Sequence, residues 1–314
     1  MDLVDARDVR AAAQALAGIA VRTPVVPFPD TGGLWLKLEN EQPIGAFKVR
    51  GAYHAIARLP EPRRERGVIT HSSGNHGQAV GYAARAFGVP AVVVMPEGSV
   101  PLKIDRIRDL GGEVVIVPAA DRLTVAERIA AERGLAFIPP YDHRDVIAGQ
   151  GTVGLEILDQ LPEVEVVLAP VGGGGLISGI ATAVKALRPD VSVIGVEPEL
   201  AADAAESLRA GHLVPWSVED RGRTVADGVR TDVGELTLAH ILERVDDIVT
   251  VTEDDIRDTV VTLARTANIT AEPSGALAAA AYLRGPEGLP AGRTVAVVSG
   301  GNIDPALRQE LLNQ

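Results

Sequence analysis

Four short segments carry residues whose types and spacing could do chemistry. The first, Gly45-Ala46-Phe47-Lys48-Val49-Arg50-Gly51-Ala52, sets a lysine at the opening of a helical pattern, with Val49, Ala52, Ile56 and Leu59 at helical spacing. A helix N-terminus disfavours a nearby cation, so an amine held there loses its proton more easily and can act as a nucleophile. On this segment alone, an ordinary surface lysine reads as well. The second segment, Thr70-His71-Ser72-Ser73-Gly74-Asn75-His76-Gly77, joins a strand to a helix beginning near Gln78. Its small residues free backbone N–H groups at a helix start, where a carboxylate would be stabilised. Ser72 and Ser73 add hydroxyls, and the rival is a glycine-rich turn capped by Asn75. A hydrolase elbow is excluded, because His71 stands where Gly-x-Ser-x-Gly needs its first glycine.

The third segment, Pro170-Val171-Gly172-Gly173-Gly174-Gly175-Leu176-Ile177-Ser178-Gly179, lies between a strand and a helix. Consecutive glycines let backbone N–H groups wrap a phosphate on the helix N-terminus. A dinucleotide fold competes, with Glu197 imitating its ribose-binding acid, but Gly-x-Gly-x-x-Gly would need glycine at Ile177 or Ser178. The fourth, Val298-Ser299-Gly300-Gly301-Asn302-Ile303-Asp304, follows the run Thr294 to Val298 and would present the Ser299 hydroxyl at the C-terminal end of a strand.

Such segments need strands and helices to hold them. Short β-branched runs supply the strands: Gly67–Thr70, Ala91–Met95, Val114–Val117, Val164–Ala169, Val191–Val196 and Thr294–Val298. They alternate with Ala-rich helical stretches at Gln78–Phe87, Thr124–Arg133 and Leu176–Leu187. Continuous apolar strands between helices imply parallel sheets covered on both faces, hence an α/β class. Aromatics make up 3% of the chain, so Val, Ile, Leu and Ala must build the core.

The chain has 314 residues and a net charge of −12, which argues against nucleic acid or an anionic membrane as partner. It has no cysteine, which removes disulfides, thiolate metal sites and cysteine nucleophiles together. No apolar run reaches membrane-spanning length. The opening residues Met1–Asp5 are acidic and lack a signal-peptide pattern, so a cytoplasmic location is expected. Only four residues, Lys37, Lys48, Lys103 and Lys185, carry a side-chain amine; the remaining basic residues are arginines, which cannot form a Schiff base.

Taken in order, the four segments resemble the fold-type II pyridoxal-phosphate enzymes, and within them the threonine/serine dehydratase and serine racemase group. Val146-Ile147-Ala148-Gly149-Gln150-Gly151-Thr152, Val225-Ala226-Asp227-Gly228 and Ala271-Glu272-Pro273-Ser274-Gly275-Ala276 extend the resemblance over nearly the whole chain. It implies two parallel-sheet βα domains of the tryptophan synthase β type: a large cofactor-binding domain of residues 1–60 and 145–314, and a small domain of residues 61–144 inserted in it, with the active site in the cleft between them. It further implies that Lys48 holds pyridoxal 5′-phosphate as a Schiff base, Phe47 packs near the ring, Asn75 bonds its 3′-oxygen and Ser299 its pyridine nitrogen. Gly172, Gly173, Gly174 and Gly175, with Leu176 beside them, would hold the phosphate. The loop Ser72, Ser73, Gly74, Asn75 and His76 would take the substrate carboxylate, with Ser73 on the face opposite Lys48. A hydroxyl partner leaves the pyridine unprotonated and the ring a weaker electron sink, which favours expelling a β-leaving group.

The implied activity is β-elimination from L-threonine or L-serine, giving a 2-oxo acid and ammonia. Serine racemisation with side dehydration, dehydration of a larger 3-hydroxyamino acid, and a non-catalytic phosphate-binding protein are the alternatives. The partner is a small amino acid, and the family implies a homodimer or homotetramer. Tyr141-Asp142-His143 follows the dehydratase pattern, while Ala46 departs from the serine many relatives carry. Glu197, the carbonyl of Ala201 and Asp203 match the spacing of a divalent-cation site in the racemase-like branch, suited to magnesium or calcium. A solvated acidic helix start fits the same residues.

Overall fold

The computed structural model describes residues 2–72, 74–99, 101–285 and 289–313. Its strands are β1 (Val25–Pro27), β2 (Leu34–Leu38), β3 (Val68–His71), β4 (Ala91–Pro96), β5 (Glu113–Val117), β6 (Ala136–Phe137), β7 (Val166–Pro170), β8 (Ser192–Pro198), β9 (Asp247–Val251) and β10 (Thr294–Val298). They form a six-stranded sheet in the order β1-β2-β10-β7-β8-β9 and a four-stranded sheet in the order β5-β4-β3-β6. Every pairing is parallel except that of β1 with β2. The α/β class with two parallel sheets is therefore as the apolar runs predict.

The larger sheet shows why its strands are apolar throughout. Leu168, Ile194, Val196, Ala296 and Val298 point to one face, against Ala276, Leu277 and Ala280 of the helix Pro273–Arg284. Val167, Ala169, Val193, Val295 and Val297 point to the other, against Ile177, Ile180 and Val184 of the helix Gly175–Leu187. Successive strand residues alternate sides, so two covered faces demand an unbroken apolar run. Small alanines on the covering helices let the layers approach closely. β2 escapes the apolar pattern because Lys37 interrupts it, although that lysine is wholly buried. Among the described residues no helix is long and apolar enough to cross a membrane.

Lys37 belongs to a buried ionic cluster beneath the helix Lys48–Arg58, the lysine helix. Arg50 Nε and Nη2 donate to the two oxygens of Glu39 at 2.8 Å each, and Arg50 Nη1 to Glu156 at 2.6 Å. Lys37 Nζ donates to Glu156 at 2.5 Å and to the Thr23 carbonyl at 2.6 Å. Burial pushes the Glu39 carboxyl up, but Arg50 and then Lys37 overcome this and hold it below its ordinary value. The cluster fixes the lysine helix to β2 and to the helix Arg144–Gln160, the long helix. Removing one partner of a buried pair leaves the other charge uncompensated and costs about 3–5 kcal/mol. Glu39→Gln should therefore lose about that much stability in urea unfolding; a loss below about 1 kcal/mol would mean that water relieves the cluster.

Candidate active site

Backbone pairing brings the first and fourth segments together. Phe47 N donates to Ser299 O at 3.1 Å and Gly301 N to Gly45 O at 2.9 Å, with Ala46 and Gly300 bridged between them. Lys48 is the first residue of its helix. Its amine donates to the Pro140 carbonyl at 2.9 Å and lies 5.1 Å from the centre of the Phe47 ring. The other three lysines each pair with a carboxylate: Lys37 with Glu156, Lys103 with Asp227, Lys185 with Asp246. Among the described residues Lys48 has no such partner, and burial pushes its amine down to about 8. The lowered amine matches the expectation for a helix start, but loss of water is its cause.

The connection from β6 into the long helix gathers the remaining parts. Ile138 O accepts from His76 Nε2 at 3.0 Å, and Pro140 O accepts from Lys48. The Tyr141 ring lies against the glycine loop, where an added Cβ on Gly173 would overlap it. Asp142 Oδ1 accepts from Thr237 N at 2.9 Å. Within about one helical turn of chain, this connection touches the amine, the second segment and the third. Its carbonyl at Pro140 was not foreseen, because a backbone acceptor leaves no mark on side-chain types.

Two helix starts face this region without a side-chain cap. The helix Gly175–Leu187, the glycine-loop helix, is preceded by Gly174 at φ 82°, a conformation that favours glycine. An added Cβ on Gly172 would come within 2.8 Å of Val229, and one on Gly174 within 2.9 Å of Thr237. The glycines thus answer to crowding as well as to turn geometry, and the first-turn N–H groups remain available to an anion. Leu176, in that first turn, is buried. The helix Asn75–Phe87, the asparagine helix, also starts uncapped after Gly74, whose N–H is bonded to Ser72 Oγ at 3.2 Å. The rival reading of Asn75 as a turn cap is thereby overturned. Ser73 lies outside the described residues.

His76 is buried, and its Nε2 faces the Ile138 carbonyl, so that nitrogen carries the proton. Burial, and then the neighbouring Lys48, push the imidazole down to about 3, so it is neutral. Its side chain anchors the loop to the chain that leaves the smaller sheet after β6. Asn75 Nδ2 donates to Glu272 Oε1 at 2.5 Å, and its Oδ1 accepts from Asn302 Nδ2 at 2.7 Å. Burial, and then Asp227, push the Glu272 carboxyl up to about 7. Glu272 and Asn302 were not assigned roles from sequence; a lone acid and an amide beside glycines were the available signal. Ser299 is buried, and its hydroxyl reaches only the Ser274 carbonyl at 3.5 Å, the limit of hydrogen bonding, so it keeps a free donor.

Glu197 and Asp203 are both buried, which overturns the solvated reading of these acids. Glu197 accepts from Ala204 N and Ala205 N at 3.1 and 2.8 Å, receiving the start of the helix Asp203–Ala210. Asp203 Oδ2 accepts from Val233 N at 3.1 Å, while its Oδ1 is buried with no partner. Burial, and then Asp203, push the Glu197 carboxyl well up; burial raises Asp203 to about 6. Ala201 is buried between them. Among the described residues no group of three His, Asp or Glu side chains could hold a metal, so any cation here would need carbonyls or waters as well.

The residues fit an aldehyde cofactor that bears a phosphate. A half-buried amine with no carboxylate partner among the described residues suits Schiff-base formation, and the crowded glycine loop at an uncapped helix suits a phosphate. A family model described as "Pyridoxal-phosphate dependent enzyme" matches residues 16–300. The L-threonine ammonia-lyase of Thermotoga maritima is 41% identical over 321 residues, spanning 99% of this chain and 79% of that protein. The L-threo-3-hydroxyaspartate ammonia-lyase of Saccharomyces cerevisiae is 40% identical over 274 residues, spanning 86% and 83%. The solved structure of maize serine racemase superposes with a TM-score of 0.93 at 35% identity, covering 99% of this chain and 98% of that one.

An amine whose proton leaves near pH 8 reacts with aldehydes well below the usual lysine range. In cofactor-free protein, borohydride trapping of an added aldehyde should map to Lys48, with a rate rising through about pH 8. Trapping at Lys37, Lys103 or Lys185, or a midpoint above about pH 10, would remove the assignment.

Proposed function

Since the chain belongs to the family of pyridoxal-phosphate dependent enzymes, we propose that it is an ammonia-lyase that expels the β-hydroxyl of L-threonine or L-serine as water and, as water is taken up again, releases ammonia and a 2-oxo acid. The observation that carries this reading is the half-buried Lys48 amine, held by a backbone carbonyl and, among the described residues, by no carboxylate. The likeness to ammonia-lyases at 40–41% identity supports the reaction type. Tyr141 and Asp142, placed against the glycine loop and Thr237, keep the dehydratase pattern at the substrate side.

Pyridoxal 5′-phosphate, when bound, supplies an electron sink for charge developing at the substrate α-carbon. The chain's own residues do the rest. Lys48 would hold the cofactor, and its amine, in the neutral form, would take a proton from carbon. Gly172 to Gly175 and the helix start behind them hold the phosphate. Phe47 would pack near the ring, Asn75 would donate at the 3′-oxygen, and Ser299 would give a hydroxyl to the pyridine nitrogen. The loop Ser72 to His76 receives the substrate carboxylate, with Ser73 on the face away from Lys48. The unit of residues 61–144 is read as a domain inserted in the larger one.

The likeness to maize serine racemase favours a second reading, racemisation of serine. Holoenzyme given L-threonine or L-serine should form 2-oxobutanoate or pyruvate with ammonia, and Lys48→Ala should abolish turnover while the protein stays folded. D-serine formed without either 2-oxo acid would replace the lyase with the racemase. 2-Oxo acid from 3-hydroxyaspartate alone would keep the lyase and change its substrate.

We further infer that Glu197, the Ala201 carbonyl and Asp203 hold magnesium or calcium, which would ease repulsion between two buried carboxylates and give Asp203 Oδ1 a partner. Chelation should lower activity and melting temperature together, either ion should restore both, and Asp203→Ala should abolish the response. Wild-type protein indifferent to chelator would end this assignment.

A further inference from the structure

The helix Pro101–Asp109, between β4 and β5, sends two basic side chains across to the loops of the larger sheet. Lys103 Nζ lies 2.9 Å from Asp227 Oδ2, and Arg106 Nη1 donates to Asn302 Oδ1 at 2.8 Å. The two residues are three apart and so leave one face of the helix. From Asn302 the bonds run on. Its Nδ2 donates to Ile44 O at 2.8 Å and to Asn75 Oδ1 at 2.7 Å, and Asn75 Nδ2 donates to Glu272 Oε1 at 2.5 Å.

Each amide in this chain has its orientation forced. A guanidinium only donates, so Asn302 must turn its oxygen to Arg106; a backbone carbonyl only accepts, so Asn302 must turn its nitrogen to Ile44. Asn75 is then left to offer oxygen to Asn302 and nitrogen to the Glu272 carboxylate. Donation runs in one direction, from a cation at the start to a buried acid at the end, and such chains polarise link by link. Gly300 makes the room, since an added Cβ there would overlap Glu272 Oε1 and stand 3.2 Å from Asn75 Nδ2.

We propose that Asn302, anchored by Arg106, is a positioning residue that fixes the amide of Asn75 so that its second N–H faces the ring of the bound cofactor. The proposal rests on the reading of Asn75 as the residue beside the 3′-oxygen. It gives a role to Asn302, a fourth-segment residue that had none, and makes the smaller unit, through Arg106, a contributor to cofactor geometry.

Asn302→Asp tests it, because the side chain keeps its shape and its pairing with Arg106 but can no longer donate. Asn75 must then swing its nitrogen to Asp and its oxygen to Glu272. Glu272 is faced by Asn75, by Asp227, which repels its charge, and by Lys103 and Arg106, which favour it. It can satisfy a reversed Asn75 only while protonated, below about pH 7. The reversed amide is therefore locked most firmly at low pH and least firmly at high pH.

Protein freed of cofactor is titrated with pyridoxal phosphate by visible absorption at pH 6, 7 and 8.5. The Asn302→Asp variant should bind about tenfold more weakly than wild type at pH 6 and absorb at a shifted wavelength. The ratio to wild type should shrink by pH 8.5, with the melting temperature held. Arg106→Leu, which leaves Ile44 holding Asn302, should weaken binding less and without that pH trend; it serves also if the first variant fails to fold. Affinity within twofold of wild type and an unshifted band in both variants would overturn the proposal. A wild-type protein that takes up no cofactor would instead overturn the function on which it rests.

Discussion

An amine largely withdrawn from water, with no carboxylate beside it among the described residues, is the constraint around which this molecule is arranged. An unpaired, desolvated ammonium is costly, and a group so placed gives up its proton more readily. Two residues further along the same helix, Arg50 meets the opposite treatment, with Glu39 and Glu156 around it. One helix start therefore carries a charge that is fully compensated and an amine that is left without compensation. The compensated one secures the helix, which lets the other remain free without loosening its setting. Had Glu39 or Glu156 been placed to reach Lys48, the amine would have stayed an ammonium ion.

The same economy governs how the site attracts negative groups. A chain at −12 cannot rely on its net field to draw in a phosphate or a carboxylate. Two uncapped helix starts provide positive potential from backbone alone, within the first turn, where it acts over short range and without titrating. The acids near the site are confined by burial and by donors: Glu197 by two backbone N–H groups, Glu272 by Asn75. Burial raises both carboxyls, so the acids near the site are kept from presenting full negative charge to it.

The strands that carry the site were readable because two covered faces make them apolar from end to end, and the loops after them because glycine and serine clusters break that pattern. β2 was hidden by Lys37, whose charge is answered by residues far along the chain, and β9 (Asp247–Val251) by Asp247 and Thr250, which break its apolar run. Lys48, the glycine loop and Ser299 stood out through residue type and position. The carbonyl of Pro140 could not, since every residue has one. Glu272 and Asn302 were visible as letters, but their role depends on which way two amides face, a property of partners brought from opposite ends of the chain. Asp203 was legible as a candidate ligand, while its burial, which removes the solvated reading, belongs to the packing alone.

Surface connections between elements ordinarily tolerate gain or loss of a residue. The one from β6 into the long helix has a different character. Ile138, Pro140, Tyr141 and Asp142 each meet a separate part of the cleft, by backbone at two positions and by side chain at two. Shifting the chain by one residue would withdraw all four at once, whereas exchanging a side chain at Pro140 would leave its carbonyl in place. The connection works as a gauge block, with its length under stricter control than its composition. Diversity in substrate choice can then enter at Tyr141 by substitution, while insertion and deletion are closed to this stretch.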